Sequence, residues 1–461
     1  MYETFNITIH GAGHIKAGQP CEDYSISTED ALCRIFVAAD GHGDSNCPRS
    51  SFGSETICRI ASEELRSFAV SIEEENWTDR LFDSRWKEPL IRQLITSIFG
   101  KWTQTVLDDF NRNPLTDEER AGSRSYIARY DQGERIEHVY GTTMIAGLLT
   151  DRYLLLLQQG DGRCDVFYED GHVDQPIPWD DRCFANVTTS LCDTDAIASC
   201  RYHVIDLAVY PISACMAGSD GVEDSFFSMD QMHSYYRELL IYASEHGVKG
   251  LLKHLNETLP EFSQKGSRDD TTICGFIDLE KVSSLIHVFV RANRETDLQS
   301  SLKLLNDRIT SMESGKMEYL QRQMNNAEQI WLKARRSLSP DSLFPPMIPD
   351  PEYEEKQKKY ENAEKAYNDY KKRYEDLTAE RAGMLEQIRR LRAGLPEEAE
   401  EADPAQDETH VPADDTDAQT PAHAQAEDAD LQTPAHAQAE DSGMAEKPAY
   451  PEEEEEDFSW N

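Results

Sequence analysis

Four short segments of the sequence place carboxylates at the ends of runs of apolar residues. They are residues 22–23, 40–44, 219–224 and 268–272. A carboxylate at the end of a buried strand is costly unless it is paired or bound to a metal ion. No cluster of basic residues accompanies these segments, so carboxylates that converge there indicate hard divalent cations, which prefer oxygen ligands.

A simpler interpretation exists for each segment, because Asp-Gly is a common tight-turn dipeptide. That interpretation suits Asp170 and Gly171, which stand between two strand-like segments. Asp40 and Asp220 instead follow wholly apolar runs and precede a polar loop or a helix start. Zinc is not indicated, because the histidines of this region lack a ligand spacing.

The ordered set of motifs resembles the metal-dependent protein phosphatases, the protein phosphatase 2C-like family. Six motifs carry the resemblance across residues 1–280. They are an acidic pair at 22–23, DGHG at 40–43, GTT at 141–143, GDGR at 160–163, SDGVED at 219–224 and RDDTT at 268–272. Each motif alone is weak, but six in the family's order and with family-like spacing are specific.

The resemblance implies two ion sites, for Mg²⁺ or Mn²⁺, that share one carboxylate. Asp40 would bridge the two ions. Asp220 and Asp269 would complete one site, and Glu22 and the carbonyl of Gly41 would serve the other. The family hydrolyses phosphoserine and phosphothreonine without a covalent phospho-enzyme, so the implied partner is a phosphorylated protein.

Three further carboxylates and one histidine have implied roles. Asp23 would support the ligands from behind, and Asp161 and Asp224 match residues that hold a third, weaker ion. Two cations roughly 3.5–4 Å apart can activate a shared water for in-line attack. His42 lies beside this centre, where it would either protonate the leaving oxygen or play a structural part in a tight loop.

One position departs from the family pattern. Family members commonly carry an arginine four residues before the glutamate of the acidic pair, where it grips the substrate phosphate, and this chain has Gly18 there. Lys16 or His14 are the expected substitutes, and Arg163 and Arg268 are more distant candidates. A lysine would act as a point charge without the bidentate geometry of arginine.

The elements that position these residues are short strands and amphipathic helices. Strands are predicted at 5–10, 35–39, 142–149, 153–158, 212–217 and 271–277, and helices at 54–68, 89–110 and 229–242. Residues 113–133 are polar and turn-rich, which predicts a surface loop. Several strand runs are apolar throughout, which indicates sheets covered on both faces. Strands in series with paired helices between them suggest two sheets sandwiched by helices. Together with the resemblance to the family, this gives the predicted fold class, α+β: a four-layer α/β/β/α sandwich of two antiparallel sheets flanked by helices, in a catalytic domain at 1–282.

Residues 290–395 change to a coiled-coil-like pattern, with apolar residues at spacings of four and three within 298–312 and 360–391. A proline-rich break at 337–351 divides them. A helical hairpin within one chain is the preferred interpretation, and self-association through the same seam or a coiled-coil partner is the alternative.

Charge and composition set further limits. The chain carries 46 basic and 87 acidic residues, and residues 397–461 hold 22 of the acidic ones with a single lysine. The acidic tail at 396–461 contains a duplicated TPAHAQAED repeat and is predicted to be disordered. Nucleic acid is an improbable partner for so acidic a chain. No signal pattern or membrane span is apparent, so a cytoplasmic protein is expected.

Two functions fit these observations. The first is an active serine/threonine phosphatase whose C-terminal region targets or regulates it. The second is a catalytically weak pseudo-phosphatase that binds phosphoproteins as a scaffold. The full set of metal carboxylates favours the first, and the missing arginine at Gly18 favours the second.

Overall fold

A computed structural model describes residues 1–123, 126–184, 187–313, 315–337 and 351–395. The chain divides into two units, Met1–Glu398 and Ala399–Asn461. The predicted acidic tail and its repeat lie outside the described residues. Within the described ranges, no helix is both long enough and apolar enough to cross a membrane.

In the described part of the chain, ten strands form two five-stranded sheets in which all neighbours are antiparallel. The first sheet contains, in spatial order, β1 (Tyr2–Ile9), β10 (Thr271–Asp278), β9 (Ile212–Gly218), β6 (Arg163–Tyr168) and β7 (Val173–Asp174). The second sheet contains β2 (Tyr24–Glu29), β3 (Arg34–Ala39), β4 (Met144–Leu149), β5 (Tyr153–Gln159) and β8 (Arg201–Asp206).

Helices connect and cover these strands. In chain order they are α1 (Ala12–Ala17), α2 (Ser50–Glu74), α3 (Ser84–Arg112), α4 (Asp117–Gly122), α5 (Ile127–Asp131), α6 (Ala196–Ser199), α7 (Asp220–Glu223), α8 (Met229–Lys265), α9 (Leu279–Glu313), α10 (Lys316–Ser337) and α11 (Pro351–Arg392). Two short 3₁₀ helices occupy Thr78–Leu81 and Ile136–Tyr140. Helix α8 is interrupted at Gly247, where φ is 72°.

The two faces of each sheet bury different partners. In β3, Ile35 and Val37 pack against α2 and α3, whereas Phe36 and Ala38 face the first sheet. Successive side chains of a strand point to opposite faces, so a strand buried on both faces must be apolar at every position. Helices α8 and α9 cover the outer face of the first sheet. The predicted four-layer α/β/β/α sandwich is therefore confirmed.

The expectation of a loop at 113–133 needs correction. Helix α4 begins with a capping box, in which the Thr116 hydroxyl accepts the amide of Glu119 and the Glu119 carboxylate accepts the amide of Thr116. Helix α5 follows and buries Tyr130, whose hydroxyl donates to the carbonyl of Asn46 at 2.6 Å. A Thr-x-x-Glu sequence is a known helix-start pattern. The helix was missed because the surrounding segment is polar and was therefore interpreted as a loop.

The C-terminal helices pack antiparallel within the chain. Trp331 of α10 stacks on Tyr360 of α11 with ring centroids 5.2 Å apart, and Leu305 of α9 packs against Leu377 of α11. Self-association through these helices stays a prediction. So does the division at residue 282, since α9 passes through that position without a break and buries Phe289 against the first sheet.

Candidate active site

Strand register brings the acidic segments of the second sheet to one end of the sandwich. Tyr24 of β2 pairs with Ala39 of β3, so Asp23 and Asp40 lie next to each other just beyond the pair. The backbone of Asp40 is fixed by β4: its carbonyl accepts the amide of Thr143 at 2.8 Å, and its amide donates to the Thr143 hydroxyl at 3.0 Å. The GTT motif therefore holds Asp40 in place.

The first sheet delivers its acidic residues to the same end. Gly218, which ends β9, pairs with both Arg163 of β6 and Ile273 of β10. The segments that leave these strands therefore carry Asp161 and Asp220 to a common edge. Five of the carboxylates predicted to bind metal line one cleft of about 700 Å³ at this edge. They are Asp40, Asp161, Asp220, Asp224 and Asp269.

Asp40, Asp220 and Asp23 form the most crowded part of the acidic cluster. Burial, followed by the charges of Asp220 and Asp23, raises the pKa of Asp40 well above its usual range. Burial also raises the pKa of Asp220 to about 7 and that of Asp23 to about 8. These carboxyls hold protons near neutral pH, and a bound cation would displace them.

We expect the metal-free protein to lose stability as the pH rises from about 4 to about 8. Asp23 and Asp220 keep protons in the folded state that the unfolded chain, with a pKa near 3.8, has already released. The folded state thus binds more protons, and the free energy of unfolding falls with rising pH. Melting temperatures measured in EDTA across this pH interval test this prediction. A melting temperature that rises with pH through the interval would contradict it.

Glu22 shows the best evidence that the site is built for a cation. Its side chain is 8% exposed, and its Oε1 accepts the hydroxyl of Ser50 at 2.8 Å. Its Oε2 is buried without a hydrogen-bond partner among the described residues. A buried carboxylate oxygen left without a donor is unfavourable, and a divalent ion would satisfy it. The donor set, carboxylates and a carbonyl, therefore fits Mg²⁺ or Mn²⁺.

Gly41 lies where no side chain fits. A Cβ at this position would come within 2.8 Å of the Glu22 carbonyl oxygen and 2.9 Å of Ser50. The amide of Gly41 donates to that same carbonyl at 3.2 Å. This close approach of two backbone segments brings Gly41 beside Glu22, as the predicted ion site requires.

Asp270 has a role that the sequence did not reveal. Its two oxygens accept the amides of Gly11 at 2.6 Å and Glu22 at 2.7 Å. Although burial raises its pKa, these hydrogen bonds more than compensate, and the net pKa is lowered. Asp23 is similarly fixed, since its Oδ2 accepts the hydroxyl of Thr272 at 2.7 Å. Both carboxylates connect the segments that carry the predicted ligands.

His14 lies against the acidic cluster, on helix α1. Its Nε2 is 3.3 Å from Oδ1 of Asp269, and its Nδ1 is 3.1 Å from Oδ2 of Asp270 but is not aligned for a hydrogen bond. Burial lowers its pKa, but Asp270 and Asp269 outweigh that effect and raise it overall. These three residues are close enough to hold a metal ion together.

The neighbourhood of Gly18 explains the missing arginine. Gly18 ends helix α1 in the left-handed region with φ at 74°, a conformation that costs other residues about 1–2 kcal/mol. Lys16 precedes it and lines a shallow depression with Arg268, next to His14. The structure thus places Lys16 and His14 beside the cleft, but it gives neither of them the planar fork of an arginine.

Arg163 is paired with a neighbouring carboxylate and is not among the residues that line the cleft, so it is not available there as a phosphate ligand. Its guanidinium forms two bonds with Glu223, at 2.5 and 2.6 Å, and lies 3.8 Å from the ring centroid of Trp179. Glu223 sits between Asp220 and Asp224, so this clamp fixes the helix that carries both residues. Arg163 is therefore a positioning residue.

We expect Arg163→Ala to weaken Mn²⁺ binding about 10-fold, the usual effect of removing a residue that orients metal ligands. Isothermal titration with Mn²⁺ measures it. The matched control is Arg152→Ala, which removes an exposed guanidinium from the β4–β5 turn at the opposite end of the sandwich. Identical isotherms for the two variants would show that the clamp has no effect on the ions.

His42 lies in the wall of the cleft. Its Nε2 is 2.7 Å from the hydroxyl of Ser190, which itself donates to the carbonyl of Thr142 at 3.1 Å. A Ser190 hydroxyl that donates its one proton to Thr142 would accept a proton from Nε2 of His42. Burial, with a smaller effect from His138, lowers the pKa of His42 to about 4. This arrangement supports the structural interpretation more than the leaving-group acid.

The comparisons with known proteins agree with this geometry. Residues 10–260, more than half of the 461, match the sequence profile described as Protein phosphatase 2C. The chain therefore belongs to the protein phosphatase 2C family. A comparison with curated proteins gives no match.

Several solved structures are similar to the chain, each over 60% of its length. A bacterial serine phosphatase is 17% identical with a TM-score of 0.37 and 98% of that chain covered. Serine/threonine phosphatase Stp1 from Staphylococcus aureus is 18% identical, with 95% covered and a TM-score of 0.37. The catalytic domain of serine threonine protein phosphatase PstP, in complex with two manganese ions, is 12% identical, with 97% covered and a TM-score of 0.34. Because identities and TM-scores are low, the assignment rests on the family match and the fold.

Proposed function

We propose that this chain is a metal-dependent phosphatase that hydrolyses phosphoserine and phosphothreonine in proteins. The observation that carries the proposal is the cluster of Asp40, Asp220 and Asp269 with the partnerless oxygen of Glu22, at one end of the sandwich. Such a concentration of carboxylates is costly where no lysine or arginine is among the described residues that line the cleft, and function is the reason to retain it.

The proposed ligands are those that the resemblance to the family implies. Asp40 follows β3 and would bridge two Mg²⁺ or Mn²⁺ ions, with Asp220 and Asp269 as ligands of one ion and Glu22 and Gly41 as ligands of the other. Bound ions supply a water of lowered pKa and charge neutralisation of the phosphoryl oxygens. The protein's own contribution is to fix the ligands on the ends of rigid strands.

Further residues complete the proposal. Asp161 and Asp224 both line the cleft, and burial together with nearby carboxylates raises the pKa of Asp224. This concentration of carboxylates supports a third, weaker cation there. Asp23 orders the ligands from behind. His14 is the preferred phosphate contact and Lys16 the second, because His14 reaches the cleft itself.

A second function is favoured by one observation. Gly18 stands where an arginine is expected, and the imidazole of His14 is held between Asp269 and Asp270. A protein that binds phosphoproteins as a scaffold, with little turnover, would have this feature. The C-terminal helices would then assemble partners, whereas in an active enzyme they would target or regulate it. A cytoplasmic location stays a prediction from the sequence.

The deciding experiment is hydrolysis of p-nitrophenyl phosphate and a phosphothreonine peptide with Mn²⁺, with Mg²⁺ and with EDTA. We expect turnover that requires the metal. If folded, Mn²⁺-binding protein turns over neither compound, the proposal fails and the scaffold becomes the better function.

A further inference from the structure

Arg268 stands next to a proposed metal ligand. It precedes Asp269 in the sequence, and across the trans peptide their Cα atoms are about 3.8 Å apart. Both residues line the shallow depression beside His14, and Asp269 also lines the cleft. The side chain of Arg268 therefore starts at the edge of the proposed active site.

Hydrogen bonds hold the backbone of Arg268 against two helices. Its amide donates to the carbonyl of Ser263 in α8 at 2.9 Å, and its carbonyl accepts the amide of Gly13 in α1 at 2.7 Å. A Cβ on Gly13 would lie 2.8 Å from that carbonyl oxygen and 3.6 Å from the Cβ of Arg268, so glycine permits this close approach. Arg268 thus has a fixed position beside α1, the helix that ends at Gly18.

The backbone conformation of Arg268 is unfavourable for a residue with a side chain. Its φ is 70°, in the left-handed region. Among the described residues, Asn76 and Arg135 are the other non-glycine residues with positive φ. Asparagine is enriched in this region, and Arg135 donates to the carbonyl of Cys192. A glycine would suit the backbone at 268 better, so the fold itself does not require the arginine side chain.

The guanidinium of Arg268 has no partner within the described part of the chain. The residue is exposed, and its side chain forms no hydrogen bond or ion pair there, although Asp269 follows it directly. The guanidinium of Arg163, by contrast, is paired with Glu223. Arg268 is therefore available to bind an anion.

The proposed reaction calls for a cationic contact that the cleft itself does not supply. No lysine or arginine is among the described residues that line the cleft, and Gly18 stands where the family commonly has an arginine. Arginine binds phosphate through two parallel N–H bonds, whereas a lysine such as Lys16 offers a point charge. Arg268 has the chemistry that is missing at Gly18.

We propose that Arg268 binds the phosphoryl group of the substrate and takes the place of the arginine that is missing at Gly18. The inference rests on the proposed function, since it adds a phosphate-binding residue to the same site. The family's arginine would stand at the end of α1, whereas Arg268 comes from the loop that packs on α1. Lys16 and His14 line the same depression and would add their contacts to that of Arg268.

The test replaces Arg268 by glycine, which removes the guanidinium and suits the left-handed backbone. We expect Arg268→Gly to melt no lower than wild type. Its kcat/KM in Mn²⁺ should fall about 10-fold, the loss of one charge-assisted contact, on both p-nitrophenyl phosphate and a phosphothreonine peptide. The factor is shared because both compounds carry the phosphoryl group, and the inhibition constant of inorganic phosphate should rise equally. Arg268→Lys keeps the charge without the fork, so its values should lie between.

The matched control is Asn76→Gly, which places glycine at another left-handed position, just after α2 and outside the residues that line the cleft. It should leave kcat/KM and phosphate inhibition unchanged. Unchanged kinetics in Arg268→Gly would overturn the inference and leave the proposed phosphatase intact. A loss confined to the peptide would also overturn it, because Arg268 would then contact the residues that flank the phosphothreonine.

Fluorescence polarisation separates the inference from the proposed function. If wild type turns over neither compound, a labelled phosphothreonine peptide should still bind about 10-fold more weakly to Arg268→Gly than to wild type. The unphosphorylated peptide should bind equally to both proteins. That result would support the phosphate contact and reject the phosphatase, whereas equal affinity of the phosphopeptide for the two proteins would overturn the inference.

Discussion

Asp40→Asn is expected to lower metal-dependent turnover by at least about 1000-fold. Asp40 lies at the centre of the cluster, so both proposed ions lose a ligand when its charge is removed. Loss of metal-based stabilisation of the transition state amounts to several kcal/mol, and each 1.36 kcal/mol is a factor of ten in rate. Turnover of a phosphothreonine peptide in Mn²⁺ measures the effect.

The melting temperature of the same variant is expected to change in opposite directions without and with metal. This distinguishes the loss of a metal ligand from damage to the fold. In EDTA, we expect Asp40→Asn to melt at a higher temperature than wild type, because it removes one carboxyl from a crowded, buried cluster. In saturating Mn²⁺, wild type should be the more stable, since a ligand that binds only the folded state stabilises it. Asp151→Asn should change neither value. A variant that melts lower in both buffers would indicate structural damage.

Gly221→Ala is expected to reduce turnover at least about 100-fold and to destabilise the protein by about 1–3 kcal/mol. A Cβ on Gly221 would lie 2.0 Å from the carbonyl oxygen of Asp270, so one of the two backbones must move. Gly221 follows Asp220 in helix α7, and any movement displaces this ligand. Misplacement of a reacting group by about 1 Å costs on the order of 100-fold in rate, and overpacking of a core costs about 1–3 kcal/mol.

Gly100→Ala is the matched control for this substitution. Gly100 lies on the exposed side of α3, and its added Cβ would meet nothing within 4 Å. Alanine has the higher helix propensity, so this variant should gain up to about 1 kcal/mol and keep full activity. Thermal unfolding and peptide turnover of both variants are compared. Equal behaviour of Gly221→Ala and Gly100→Ala would mean that α7 tolerates displacement.

Covered sheets were predictable because their strands are buried on both faces, whereas the four-layer arrangement was predicted from the resemblance to the family. An uninterrupted apolar run such as Ile35–Ala39 of β3 can only belong to a covered sheet, and the acidic residue that ends it must lie at an edge. The order of six motifs then indicated which edges meet. The exact pairing of strands could not be predicted from the sequence. Register depends on contacts between strands that are far apart in the chain, such as β1 and β10.

The structure brings several of the carboxylates that the sequence singled out to one cleft, but the surroundings of that cleft were not predicted. Asp270 was taken as part of a motif, and only the structure shows that it binds the amides of Gly11 and Glu22. The stacking of Tyr126 on His138 in the wall of the cleft was not predicted, since Tyr126 belongs to a polar segment that carries no periodic signal. Such residues come together through tertiary packing, which local sequence does not encode.

Helix α9 has a mechanical consequence. It starts directly after β10, the strand preceded by Asp269 and Asp270, and continues to Glu313 over a length of about 52 Å. Its first turns are anchored on the first sheet through Val282, Leu285 and Phe289. A partner bound at the far end of this helix would therefore be held at a set distance from the acidic cleft, and only phosphoresidues within that distance would reach the cleft.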